Sequence, residues 1–518
     1  MQLALLAAMA LCASVARAQY GWTERIDVNV GGQQADDEAW APALSGDGRY
    51  VAYHSSADNL AWPNASDDNG TFDVFRHDRV TGTTLRISTP RGNIPGAAPS
   101  MYPSISADGT RVAFASGGGD FGLADGNQAW DVYVYDVPSD TFVLASVSSA
   151  DVLGNGASMF PELSADGRFV VFESGASNFS PADTNQAIDV YRHDLSSGAT
   201  DLVSHAPSGF AGNRFSGGNF HDGPSISGDG RFCAFGSEAN DLVPGDTNHI
   251  SNGPMLCAQC GNDVFVWDAL TSSVTRVSVS SGGGQGNQSS GNPALSGDGR
   301  FVVFESRAAN LVPVDVAGFD IFVHDRDVDV DGVFDEPGAI STRLVDLSSS
   351  GEQANSGAGG GAFGWRGPTL SYDGRRVAFF STSTNLVAGD VTSSADVFVR
   401  DLATGRTECA SIAASGAPSD KHAYGPALSA DGSVCAFAGR CEALVAGDTN
   451  NVIDVFVRLA ADEPRTYCTA QTSSVGCVVD MSWQGFAREG ATSGFTVTAS
   501  ELLAGAQCQF LYSLAGGS

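Results

Sequence analysis

The chain has one lysine, Lys421, and a formal net charge of −32. A surface so short of positive charge repels phosphate backbones and anionic lipid, so nucleic acid and acidic membrane faces are excluded as partners. A halophilic or marine setting and a dependence on divalent cations both remain open as sources of the acid excess. Hydrolase signatures are missing too. There is no G-x-S-x-G elbow and no H-E-x-x-H, and the 8 histidines gather into no catalytic set. Cys257-Ala-Gln-Cys260 is a single CxxC with no second pair, which suits a local disulfide better than zinc. After residue 18 no stretch has the length or apolarity of a membrane span.

Residues 1–18 read as a secretory signal. An apolar run from Leu3 to Val15 is followed by Ala16-Arg17-Ala18, an A-x-A-like cleavage site. The leading residues carry no positive charge, which fits a start further upstream. Leu11 before Cys12 argues against a lipoprotein anchor. The expected location is secreted, periplasmic or cell-surface. Nine cysteines then remain, at 233, 257, 260, 409, 435, 441, 468, 477 and 508. An odd count leaves at least one unpaired or intermolecular. Cys233 and Cys435 take matching repeat positions and read as small buried hydrophobes.

What the sequence does have is one phrase repeated along its length. The first copy is Pro42-Ala-Leu-Ser45-Gly-Asp47-Gly48-Arg-Tyr-Val-Ala-Tyr53, and the anchoring proline recurs at 103, 161, 224, 293, 368 and 426. A second phrase follows each copy: Asp73-Val-Phe75, then the equivalents that begin at Asp131, Asp189, Asp263, Asp320, Asp396 and Asp454. Asp-Gly between short β-branched and aromatic runs signals a hairpin, since both residues tolerate positive φ. The Asp-Val-Phe phrase opens a third strand, and runs such as Thr84-Leu-Arg-Ile-Ser88 supply a fourth. Four antiparallel strands per unit, repeated radially, predict an all-β, seven-bladed β-propeller. The last copy lacks a fourth strand, and Thr23–Val30 reads like one. The N-terminal strand is therefore expected to complete the seventh blade and close the ring.

The Ser-x-Asp-Gly-Arg turn, the Val-x-Phe strand and the Asp-Val-Phe strand resemble the TolB-like repeat, also called PD40 or WD40-like, over about residues 22–459. The resemblance implies a propeller in an extracytoplasmic setting and little about chemistry. The expected organisation is a signal peptide at 1–18, a propeller at 19–463 and a C-terminal segment at 464–518. The last reads as part of a small disulfide-tied β domain, punctuated by Cys468, Cys477 and Cys508.

Two sites are expected. In Asp327-Val-Asp329-Val-Asp331-Gly332-Val333-Phe-Asp335-Glu336, acids at positions 1, 3, 5 and 9 and glycine at 6 match most of a calcium loop. Position 12 is Gly338, so Glu336 or water supplies the late ligand. The expected cofactor is structural Ca2+, held by Asp327, Asp329, Asp331, Asp335, Glu336 and the Val333 carbonyl. Asp183-Thr-Asn185, Asp246-Thr-Asn248 and Asp448-Thr-Asn450 are weaker signals that read as Asx turns. The second site is a set of aromatics just before the anchor proline: Trp40, Tyr102, Phe160, Phe220, Trp365 and Tyr424, with Asn292 in blade five. They either ring the channel mouth, offering stacking surfaces, or wedge between blades. His77, His193 and His324 share one repeat position, as surface or inter-blade residues.

The function expected is a binding module for a protein or glycan on the loop-rich face. A purely structural surface module is the alternative, and a hydrolase or lyase at the channel mouth stands third.

Overall fold

In the computed structural model, residues 22–459 are described except 61–69, 90–97, 119–120, 122–125, 218–222, 249–260, 316–317, 360–366, 414–415, 417 and 420, and so are the backbones of Asp480–Gln484 and Thr496–Ser500. The described residues hold no helix, and seven four-stranded antiparallel sheets form the propeller. Blade one is Ala39–Leu44, Tyr50–Ser55, Asp73–Asp78 and Thr83–Arg86. Blades two to six repeat the pattern within 100–144, 158–202, 225–276, 290–344 and 369–409. Blade seven takes three strands from 423–459, and Thr23–Arg25 pairs antiparallel with Asp454–Leu459 as its fourth. The expected N-terminal closure is what the chain forms. As a separate unit, Asp480–Gln484 and Thr496–Ser500 pair antiparallel.

The repeated phrases account for the local geometry. In blade one, Ser45 Oγ donates to Asp47 Oδ1 at 2.7 Å, and the amides of Arg49 and Tyr50 are capped by Asp47 Oδ1 and Ser45 Oγ. Gly48 takes φ 67°, while Asp47 is not left-handed and caps the turn through its side chain. Arg49 then reaches Asp78 at the end of the third strand with two bonds of 2.9 and 2.7 Å, and Arg168–Asp194, Arg231–Asp268 and Arg300–Asp325 repeat the fork. Inside each blade an aromatic of the second strand meets one of the third, as Tyr53–Phe75 at 5.7 Å and Phe304–Phe322 at 5.9 Å between ring centroids. These rings are fully buried and form the core between sheets.

The residue after each turn serine links neighbouring blades through the main chain. The amide of Gly46 donates to Ala107 O, Ala107 to Ala165 O, Ala165 to Gly228 O, Gly228 to Gly297 O, Gly297 to Tyr372 O, Tyr372 to Ala430 O and Ala430 to Gly46 O. These bonds form a closed circle, with distances between 2.8 and 3.0 Å. Side chains at this position are small apart from Tyr372, whose ring lies where Cβ atoms on Gly228 and Gly297 would stand.

His77, His193 and His324 are buried between blades, not on the surface. Each ring Nδ1 pairs with a fourth-strand threonine, Thr84, Thr200 or Thr342, at 2.8–2.9 Å. The threonine hydroxyl donates to a carbonyl of the preceding blade, Val28, Val147 or Val279. Cys233, Cys409, Cys435 and Cys441 are buried thiols outside any disulfide, and burial pushes the Cys435 thiol up to about 12. The remaining cysteines, and the expected signal peptide, lie outside the described residues.

Candidate functional site

Antiparallel pairing sends the loops between second and third strands, and those between blades, to one face of the ring. The Ser-x-Asp-Gly turns lie on the other. The first strand of each blade lines the channel, and a bulge recurs there. Between Met101 and Ser104 the first strand of blade two carries one residue more than its partner, and blades one, three, five and seven show the same shift. The residue before the anchor proline is left-handed: Ala41 (φ 49°), Tyr102 (57°), Phe160 (53°), Asn292 (52°) and Gly425 (57°). A residue before proline normally prefers extended backbone. Only one of these five is glycine, so the strain is real and concentrated on the channel.

The bulge aims two of the six expected aromatics into the channel. Tyr102 and Phe160 line a cavity of about 100 Å³ together with Glu162, Asn292 and the prolines of blades three to seven. Their rings lie 4.4 Å apart between centroids, tilted by 47°. At the same position blades four and six have Gly223 and Gly367, which also line the cavity. The wall is therefore aromatic at blades two and three and bare at blades four and six. Glu162 Oε1 accepts from Ser225 Oγ at 3.1 Å and from the Ile226 amide at 3.2 Å. Asn292 Nδ2 donates to Glu305 Oε2 at 3.1 Å.

Trp40 and Tyr424 stand one residue earlier in their strands, and the cavity wall does not include them. Trp40 Nε1 donates to Glu38 Oε2 at 3.2 Å. Tyr424 stacks on His422 at 5.6 Å and meets Phe380 edge-on at 5.8 Å, as a wedge between blades six and seven. All four described aromatics are half-buried. Phe220 and Trp365 lie outside the described residues. Sequence reasoning passed over Glu162 and the glycines, and missed Asn292's bond to Glu305. The signal for Asn292 and the glycines was the shared position immediately before the anchor proline, whereas Glu162 follows its proline.

The acidic loop of blade five lies between its third and fourth strands, on the face of the Ser-x-Asp-Gly turns. Asp327, Asp329 and Asp331 bring carboxylate oxygens within 4.8 Å of one another. Asp327 accepts from the amides of Asp331 (3.1 Å) and Gly332 (3.0 Å), and Asp331 caps the Val333 amide at 2.9 Å. Desolvation works against the Asp327 charge, but the Gly332 and Asp331 amides hold its carboxyl below the usual range. Asp329 moves the other way, through desolvation and the neighbouring Asp331 charge. Asp335 is placed differently. Arg326 Nε donates to its two oxygens at 3.0 and 3.1 Å, and Arg326 packs over Phe232 and Phe334. The Glu336 carbonyl accepts from the Ala339 amide, and the Val333 side chain is exposed.

No protein-family model and no curated protein sequence matches the chain. Solved structures with similar overall traces include an oligogalacturonate lyase in complex with manganese, at 11% identity and TM-score 0.47, covering 86% of this chain and 99% of that one. The β-propeller domain of the Trilobed protease from Pyrococcus furiosus has 11% identity and TM-score 0.46, covering 83% and 98%. TolB from Acinetobacter baumannii has 14% identity and TM-score 0.34, covering 75% and 77%. At these identities and TM-scores the likenesses say nothing about chemistry.

Proposed function

We propose that this protein is an extracytoplasmic propeller of the TolB-like, PD40 type that binds a protein or glycan partner at the channel mouth, with a structural calcium ion in the blade-five loop. The observation that carries the reading is the one-sided cavity wall. Left-handed backbone turns Tyr102 and Phe160 inward, while Gly223, packed against Phe160, and Gly367 add no side chain to the wall. Strain of this kind, on the order of 1–3 kcal/mol per residue, persists where the surroundings enforce it and clusters at ligand sites. Paired aromatic faces suit a sugar ring or the apolar part of a peptide side chain. Glu162 and the protein's net charge of −32 favour a neutral or cationic group over an anion. The wall offers one carboxylate and no histidine, cysteine or lysine among the described residues, which favours binding over catalysis.

The calcium part rests on three carboxylates clustered around a glycine-permitted turn, a hard-oxygen set of the kind calcium takes. The test of the binding reading is a glycan and peptide array probed with the parent and with a Tyr102→Ala, Phe160→Ala variant. Signals that vanish in the variant, at unchanged melting temperature, support it. Identical profiles overturn it and leave a structural surface module.

A further inference from the structure

Every blade buries an aspartate at the start of its third strand, and most add a second from the loop before it. The blades differ in what satisfies these acids. In blade one Arg86 pairs with Asp73. In blade three Asn185 Nδ2 donates to Asp189 Oδ2 at 2.8 Å, and the Tyr191 hydroxyl to Asp183 Oδ2 at 2.7 Å. Blade four bridges Asp246 and Asp263 with Gln285 Nε2, at 2.8 Å to each, and places Arg276 beside both. In blade five Gln353 Nε2 spans Asp315 and Asp320 at 2.9 and 3.1 Å. Blade seven uses Asn450 on Asp454 at 2.9 Å and Arg25 on Asp448 at 3.2 Å. Asparagine, glutamine, arginine and tyrosine thus recur as donors.

Blade six keeps both acids, Asp390 and Asp396, and among its described residues none of these donors stands at the equivalent positions. Thr392 stands four residues before Asp396, as Asn185 stands before Asp189 and Asn450 before Asp454. Cys409 pairs with Phe398 in the register where Arg276 pairs with Phe265. Pro418 bridges to Ile412 where Gln285 bridges to Val279. Phe398 takes the place of Tyr191. Asp396 is fully buried and Asp390 nearly so. Ser411 Oγ donates to Asp396 Oδ1, and the Thr392 amide to Asp390 Oδ1 at 3.3 Å. Among the described residues, three enclosed oxygens here have no hydrogen-bond partner: Asp390 Oδ2, Thr392 Oγ1 and Asp396 Oδ2.

Two enclosed carboxylates with no cationic partner and no side-chain amide are costly to ionise. A cation resolves the difficulty, and the orphaned atoms are the hard oxygen donors it needs. We infer that Asp390, Thr392 and Asp396 form a binding site for a hard divalent cation of the calcium class, separate from the acidic loop at the other end of the ring. Their two negative charges match the ion's, and water and main-chain carbonyls supply the rest of its roughly six to eight oxygens. Neighbouring Val391 is exposed, so the loop that carries Asp390 and Thr392 reaches the surface. Burial, opposed by Ser411 and the Ser419 amide and reinforced by Asp390, pushes the Asp396 carboxyl up to about 7. This is the behaviour of a buried carboxylate without a counter-charge.

The test uses the mature chain carrying Asp329→Ala and Asp331→Ala, stripped of metal and titrated calorimetrically with calcium chloride at pH 8. One equivalent of calcium is expected to bind. Thr392→Asn and Cys409→Arg each install the donor that other blades use, so both variants are built to fold. Each is expected to weaken calcium binding on the order of tenfold or more and to raise the melting temperature of the metal-free protein. Two results overturn the site: no calcium bound by the Asp329→Ala, Asp331→Ala chain, or equal calcium affinity before and after Thr392→Asn. In either case the acids are neutralised by protons alone. If Cys409→Arg does not fold, Thr392→Asn alone decides.

Discussion

The amide of Ala430 in blade seven donates to the carbonyl of Gly46 in blade one at 2.9 Å. That bond joins the last blade to the first and completes the circle of main-chain bonds under the channel. The ring is thus closed twice, once at this belt and once at the rim, where Thr23–Arg25 completes blade seven. The rim closure is tied down by charge and apolar burial together. Arg25 pairs with Asp448, the Asp27 carboxylate caps the Val455 amide at 3.1 Å, and Ile26 is fully buried.

Removing residues 19–31 is therefore expected to destabilise the whole ring, not the N-terminus alone. The deletion bares the edge of blade seven, strands Asp448 and Asp454 without Arg25, and empties the Ile26 site. The cost is roughly 5 kcal/mol or more, since a buried large-to-small loss and a broken buried ion pair each cost several. A single, lower melting transition in scanning calorimetry is the expected result. An unchanged melting temperature would show that the belt suffices.

A second prediction concerns strain. Ala41 is left-handed before a proline, in the register where blade seven has Gly425. Glycine takes this conformation without a Cβ clash, though its unfolded state is more flexible. Ala41→Gly is expected to stabilise the protein by about 0.5–1 kcal/mol, against the usual trend for such a change. Chemical denaturation of parent and variant checks the sign. A lower midpoint for the variant would mean that the Ala41 methyl's packing outweighs the strain.

The fold was legible because each repeat states its turn, its core aromatics and its next strand in side chains. The Ser-Asp-Gly turn and stacks such as Tyr53–Phe75 are residue-specific, so they recur as letters. The belt through Gly46 and Ala107 is made of main chain, and smallness is its only trace. The site was less legible. Counting aromatics near the proline put Trp40 with Tyr102, but one residue in a bulged strand changes what a side chain meets. In the acidic loop, spacing grouped Asp335 with its neighbours. Arg326, outside the motif, pairs with it instead. Spacing reports which acids are near one another along the chain, and not which one a buried arginine takes.

Buried acids make stability depend on pH. Burial pushes Asp189 up to about 7, with Ser204 and Asn185 opposing and Asp183 adding. A raised folded-state pKa means the folded protein binds the extra proton. The stability it contributes is full below about pH 4 and is lost as pH rises towards 7. Asparagine mimics the protonated form at every pH. The melting temperature of Asp189→Asn relative to the parent is thus expected to rise from pH 5 to pH 8. His324 runs the other way: burial lowers it to about 4, so its contribution is lost as pH falls from about 6.5 to 4. A constant difference between Asp189→Asn and parent across that range would mean that Asp189 is not the group responsible.

The last prediction separates the two halves of the acidic loop. Asp327, Asp329 and Asp331 converge at an exposed turn, whereas Asp335 is held by Arg326, whose side chain is almost fully enclosed against Phe232 and Phe334. Asp335→Ala leaves that arginine without its partner, and is expected to cost about 3–5 kcal/mol whether or not calcium is present. Asp329→Ala with Asp331→Ala removes two exposed carboxylates that repel each other, and is expected to cost little in metal-free buffer. If the loop holds calcium, the ion stabilises only the folded state, by about 2.7 kcal/mol at a hundred times Kd. Calcium is then expected to raise the melting temperature of the Asp335→Ala chain, and to raise that of the Asp329→Ala, Asp331→Ala chain by less than it raises the parent's. Melting curves of the three proteins, with and without millimolar calcium, read both effects. Equal calcium shifts in the parent and the Asp329→Ala, Asp331→Ala chain would remove the loop as a calcium site. A loss of the shift in Asp335→Ala alone would move the ligand set towards the position that the sequence spacing first indicated.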